Sequence, residues 1–263
     1  LTNNDLDFLK EWFGRFRRSY YREDEKEQLN ILLKEEHSLL VAQNALAIST
    51  GEVFEPGDIL IAEAVGLLHD VGRFPQYAQY RTFVDRISVN HGQLGAETLA
   101  AEGALSRLPV REQELIVQAV QYHNAFAVPE DMDLDAALFT RVARDADKID
   151  IWRVFCDHFE KPPEERAEAA TLGLPDGPVC SSGAIAALAG QRIVRLADVK
   201  TVNDYKLLML SWVYDLNFMT SFRLVAERGV IDRITAQLPQ SADISAAVSV
   251  AQAYIRSRLE KGA

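Results

Sequence analysis

Apolar residues recur every three or four positions along most of this chain, and no convincing strand alternates apolar with polar side chains over five or more positions. Such periodicity builds amphipathic helices and leaves no half-buried strand, so the expected fold class is all-α. Residues 5–20 bring Leu6, Leu9, Phe13 and Phe16 onto one face of a helix. Residues 29–48 read as a long, mostly buried helix that stops at a cap of Ser49, Thr50 and Gly51. The segment "EPGD" then opens a helix over 59–68, with Asp58 as its expected N-cap. Further helices are expected over 93–102, 110–122, 134–158, 204–227 and 244–258.

A chain of 263 residues, 48% of them hydrophobic, can bury a real core. The stretch 160–183, "EKPPEERAEAATLGLPDGPVCSSG", is rich in Pro and Gly and reads as a loop. It divides a core at 1–160 from C-terminal helices at 161–263. The second part is apolar on several sides in "LLMLSWVYDLNFM" and is expected to pack onto the first.

Net charge is -11, which disfavours long nucleic acid, because a phosphate backbone is met by clustered Lys and Arg. The longest apolar stretch, 59–68, carries Glu63 and falls well short of the roughly 20 residues a bilayer span needs. No membrane association is expected. The first residues lack the basic head and cleavage site of a secretory signal, so the expected location is cytoplasmic. Cys156 and Cys180 have no CxxC spacing, and neither a disulfide framework nor a thiolate zinc site is expected.

The chain holds five histidines, His37, His69, His91, His123 and His158. The first four are 32, 22 and 32 residues apart, about one helix and one loop each time. A helical bundle can bring one such side chain from each of several helices to a shared centre, which is how bundle metal sites are made. Imidazoles and carboxylates suit first-row divalent metals. Taken singly, each histidine is as well explained as a core or helix-end residue. His69 is followed directly by Asp70, which can ligate the same ion or orient the ring. The run "RDADKID" adds three carboxylates; on a helix Asp147 and Asp150 share a face and Asp145 lies on another, and geometry alone leaves open which points inward.

The succession His37, then His69 and Asp70, then Asp147 resembles the H…HD…D pattern of the HD-domain superfamily of metal-dependent phosphohydrolases. "LLHDVGRF" is similar to that family's HD-x-G-[KR] segment and "RDADKIDI" to its closing ADK segment. The resemblance covers roughly residues 20 to 160. It implies a helical bundle of the HD-domain type with additional C-terminal helices. By the same match Asp147, just before Lys148, is the ligand, with Asp145 the alternative. His91 in "HGQLGAE" and His123 in "YHN" fall where bimetallic branches carry two further histidines. No "GYP" follows His123, so cyclic di-GMP specificity is not carried over.

That resemblance implies two divalent ions per chain, drawn from Mn, Fe, Mg, Co, Ni or Zn. His37, His69, Asp70 and Asp147 would hold the first, and Asp70 would bridge to a second held by His91 and His123. Arg73 and Lys148 would orient the phosphate, Asp70, Arg73 and Lys148 being the expected catalytic residues. The expected substrate is a nucleotide or another small phosphorylated molecule. Two other readings use the same residues: a di-iron oxygenase and a non-catalytic nucleotide-binding signalling module. Glu36, Thr82 and Asp85 are weaker site candidates. Tyr205, Trp212, Tyr214 and Phe218 read as core or as a wall for a base, Trp152 and His158 have no assigned role, and a homo-oligomer remains open.

Overall fold

The computed structural model describes residues 1–161 and 174–262. Among them every regular element is a helix, with no strand. The chain divides into two compact units, Leu1–Asp150 and Ile151–Ala263. The division falls inside a helix, ten residues before the boundary expected at 160/161. Much of the expected loop 160–183 lies outside the described residues.

The first unit opens with α1 (Asn3–Arg18), capped by reciprocal bonds between Thr2 and Asp5. Its apolar stripe is buried as the periodicity predicts, with Leu6, Leu9, Phe13 and Phe16 joined by Trp12. α2 (Glu25–Gly51) begins earlier than the hydrophobic pattern implied, because Asp24 accepts a hydrogen bond from Glu27 N and caps it. α3 (Pro56–Leu68) corrects the expected cap: Glu55 is the N-cap position, Pro56 starts the helix, and Asp58 lies inside the first turn. Proline serves at that position because its missing N–H would have no helical partner anyway. α2 and α3 pack closely at Gly66, where a Cβ would come within 2.8 Å of the Val41 carbonyl.

After α3 the chain makes a tight turn through His69, Asp70, Val71 and Gly72 into α4 (Arg73–Tyr80). This short helix was missed by periodicity; its Pro75 falls in the first turn, where proline is tolerated. Phe74 anchors it, fully buried and edge-on to Phe13 and Phe16 at 5.9 and 5.8 Å. The clustered rings of α1 thus fix the element that follows the His69–Asp70 turn. A 3-10 turn (Asp85–Ile87) leads to α5 (His91–Ala101), which packs on α6 (Val110–Tyr122). α7 (Leu134–Glu160) completes the unit and runs on into the second. Asn44 of α2 donates to the Ala146 carbonyl of α7 at 3.1 Å, tying the two helices beside Asp147.

The second unit contains α8 (Ser182–Ala189), α9 (Val202–Ser211), α10 (Met219–Glu227), α11 (Val230–Thr235) and α12 (Ala242–Lys261). α12 packs against α8, α9 and α10. The single helix expected over 204–227 is two helices, broken by a 3-10 turn (Trp212–Asp215) and extended residues around Leu216. The aromatic stripe found there packs on rings of the same unit: Tyr205 on Phe155 at 5.6 Å, Trp212 on Trp152 at 6.0 Å and Tyr214 on Tyr254 at 5.0 Å. Trp152 is fully buried and donates to the Met209 carbonyl. His158 is buried beside Phe159. Cys156 and Cys180 are both free thiols.

Candidate metal centre

Five segments bring His37, His69, Asp70, His91, His123 and Asp147 to one place in the first unit. Among the described residues, three overlapping groups have donor atoms within 4.8 Å of one another: His37, His69 and Asp70; His69, His123 and Asp147; Asp70, His91 and His123. All but Asp147 are buried.

Each imidazole is oriented by its own Nδ1. His69 and His123 do this in the same way, each standing just past the end of a helix, α3 or α6. The last turn of a helix has carbonyls without helical partners. His69 Nδ1 lies 2.8 Å from the Gly66 carbonyl and His123 Nδ1 lies 2.7 Å from the Val120 carbonyl, three residues back in both cases. A carbonyl only accepts, so Nδ1 carries the proton. His91, first in α5, donates Nδ1 to Asp85 Oδ2 at 2.7 Å. His37, in mid-α2, donates Nδ1 to Asp150 Oδ2 at 2.7 Å.

When the rings are neutral, the four Nε2 atoms therefore turn toward a common centre as lone pairs. They meet in two close pairs, His37 with His69 at 3.2 Å and His91 with His123 at 3.0 Å. Two lone pairs at such distances repel unless a cation or a proton lies between them. Asp147 Oδ1, 3.0 Å from His37 Nε2, is also buried without a hydrogen-bond donor. Asp70 divides its oxygens between the pairs: Oδ2 lies 3.6 and 3.7 Å from His37 and His69, Oδ1 lies 3.4 and 3.8 Å from His91 and His123. Converging acceptors with an unsatisfied carboxylate oxygen fit divalent cations.

Charge supports that fit. Burial resists ionisation of Asp70, but Lys34, His69, Arg73 and His91 prevail and hold its carboxyl well below the usual range. Burial, reinforced by His91 and His69, pushes His123 down to about 3. His91 is lowered by burial and then by the Arg73 charge. Both rings stay neutral at pH 7 and ready to ligate. His37 differs: burial and Lys34 pull it down, yet the carboxylates of Asp147 and Asp150 outweigh them and hold it at about 8.

These shifts fix the pH dependence of the metal-free chain. Below about 6.5 an unfolded histidine binds a proton that folded His123 refuses until about 3, so stability falls on acidification across that window. His37 adds stability that is complete below 6.5 and is lost as pH rises through about 8. Denaturant midpoints of metal-free protein should peak near pH 6.5, and His123→Gln should flatten the acid side. Parallel profiles for variant and wild type would contradict the assignment.

The expected cations and carboxylates take more specific places than the sequence allowed. Arg73 Nη1 donates to Gln76 Oε1, the Phe83 carbonyl and Asp85 Oδ1 at 3.0, 2.5 and 2.9 Å, and its Nε lies 3.3 Å from Asp70 Oδ1. Asp85, a weak candidate from the sequence, thus joins Arg73 to His91. Asn124 Nδ2 lies 3.3 Å from the same carboxylate, and Gln76 Nε2 donates to it at 2.9 Å. Lys148 is buried on α7, Asp145 is buried but belongs to none of the donor groups, and Glu36 is exposed. Thr82 accepts from Val84 N within its own loop.

Asp150, Gln76, Asn124 and Lys34 are additions. Lys34 Nζ lies 2.8 Å from Asp70 Oδ2. Its position one turn before His37 was a readable signal, since residues three apart share a helix face. Replacing an anchor that holds a ligating ring typically weakens metal affinity 10 to 100-fold. Asp85→Asn should do so at the His91 and His123 end and Asp150→Asn at the His37 end, read by metal titration. Unchanged affinity in both would refute the anchoring role.

Among the described residues no helix is long and apolar enough to cross a membrane. A family model, HD domain, matches residues 35–199, and no curated protein or solved structure shows significant similarity to the chain. The match covers more than half the chain and takes in all six converging side chains, running well past the 160 where the motif resemblance ended. The chain belongs to the HD-domain superfamily of metal-dependent phosphohydrolases.

Proposed function

We propose that this protein hydrolyses a phosphate ester or anhydride of a nucleotide or another small phosphorylated molecule, using two divalent ions. His37, His69, Asp70 and Asp147 would hold one, and Asp70, His91 and His123 the other. Bound there, such ions neutralise phosphoryl charge and lower the pKa of water toward about 7. The observation that carries the reading is the common aim of the four Nε2 atoms, each fixed by an Nδ1 hydrogen bond, with the two Asp70 oxygens divided between the pairs.

The chain's own residues supply the rest. Asp150 and Asp85 hold the rings of His37 and His91 in the ligating tautomer. Arg73 fixes Asp85 and Asp70 with respect to each other. Charge favours an anionic substrate: the carboxylates of Asp70, Asp85, Asp147 and Asp150 outnumber Lys34 and Arg73, and two divalent ions reverse that balance to positive. Lys148, next to Asp147 and buried, adds to the positive side.

The test is a panel of nucleotides and phosphate esters assayed with manganese, magnesium, cobalt, nickel, iron and zinc. Metal-dependent phosphate release that a chelator stops is expected. An iron-loaded protein that changes its spectrum with oxygen and releases no phosphate with any metal would replace this reading by the oxygenase. Tight nucleotide binding without turnover in every metal would replace it by the signalling module.

A further inference from the structure

We infer that Lys34 meets a phosphate oxygen of the substrate, a role that the family motif suggests for Arg73. The inference rests on the phosphohydrolase reading and assigns the anion contact within it. α2 carries Lys34 one turn before His37, and its ammonium reaches Asp70 Oδ2 at 2.8 Å. Its side chain keeps 17% exposure against 3% for Asp70, so it lies between the buried donors and solvent.

Hydrogen-bonding capacity separates the two cations. An ammonium has three donors in a freely rotating group. Among the described residues Lys34 gives one to Asp70, while the Phe83 ring lies 5.5 Å from its nitrogen. Protons remain for a ligand arriving from the solvent side. Arg73 is committed. One of its terminal nitrogens serves Gln76, Phe83 and Asp85, and the guanidinium is wedged between the carboxylates of Asp70 and Asp85.

Turning Arg73 toward a phosphate would take one donor from Asp85, the carboxylate that holds the ring of His91. Arg73 is therefore a positioning residue, and Lys34 can take up an anion while keeping its bond to Asp70. A point charge of this kind grips any phosphoryl oxygen without demanding the two-pronged geometry that arginine imposes.

Calorimetric titration of inorganic phosphate into manganese-loaded protein tests this. Lys34→Gln should weaken phosphate binding at least about tenfold, as for loss of a hydrogen bond to a charged group, with metal content and metal affinity unchanged. Lys34→Arg, which keeps the charge, should retain most of the affinity. Wild-type phosphate affinity in Lys34→Gln would overturn the inference. So would loss of metal in that variant, which would make Lys34 a support for Asp70; either result leaves the phosphohydrolase reading intact. Absence of phosphate binding by the loaded wild type would overturn both together.

Discussion

Asp70→Asn should strip the protein of bound metal and lower metal-dependent hydrolysis by roughly 10³-fold or more, while helicity stays as in the wild type. The magnitude follows from the several kcal/mol of charge stabilisation that metal ions supply, at about 1.4 kcal/mol per factor of ten. Among the described residues Asp70 is the one side chain whose two oxygens face both histidine pairs, with every approach between 3.4 and 3.8 Å. An amide in its place turns an NH2 group toward rings that offer lone pairs and removes the charge that balances Lys34 and Arg73. The fold should survive, because the core of this unit is built from other residues, Phe13, Phe74, Leu67, Leu68 and Val65 among them. Elemental analysis, activity and circular dichroism on the same preparation separate the effects. A variant that keeps full metal content or full activity would contradict the placement of Asp70 at the centre.

Gly72→Ala should cost about 3 kcal/mol and lower the melting temperature by roughly 6 to 12 °C, a large effect for one methyl group. A Cβ at this position would overlap the His91 carbonyl and come within 2.6 Å of Gly95 N, and both are backbone atoms that no rotamer change can move aside. The start of α4 would have to back away from α5. That movement separates Asp70 from His91, so weaker metal binding at the His91 and His123 end should accompany the lost stability. Gly183→Ala is the matched control, since nothing lies within 4 Å of its Cβ position and it stands on the exposed side of α8. It should change stability by less than about 0.5 kcal/mol. Equal melting temperatures for the two variants would remove the close approach at Gly72 from the account.

Helices that carry a wide apolar stripe were legible in the sequence. α1, α3, α5 and α6 stand within a few residues of the expected ranges, because burial of one face every 3.6 residues leaves its mark on composition. The short helices were not: α4, α8 and α11 span eight residues or fewer, too little for a period to declare itself. The break at Trp212–Asp215 carries no Gly or Pro, and apolar residues continue through it, so nothing local announces it.

At the centre, residue type and order disclosed the side chains with chemistry of their own, His37, His69, Asp70, His91, His123 and Asp147. The residues that aim them were hidden for a different reason. Asp150 was visible as a neighbour of Asp147 on one helix face, but its partner is His37, 113 positions away. Asp85 and Asn124 meet His91 from two separate loops. Two of the anchors, the carbonyls of Gly66 and Val120, are backbone and leave no trace in residue identity.

The most direct test of the central claim is anomalous scattering from crystals of the manganese-loaded protein. Two peaks per chain are predicted, one among His37, His69, Asp70 and Asp147 and the other among Asp70, His91 and His123. Density showing no metal within this group of side chains, or a single ion that leaves one histidine pair without a ligand, would contradict it.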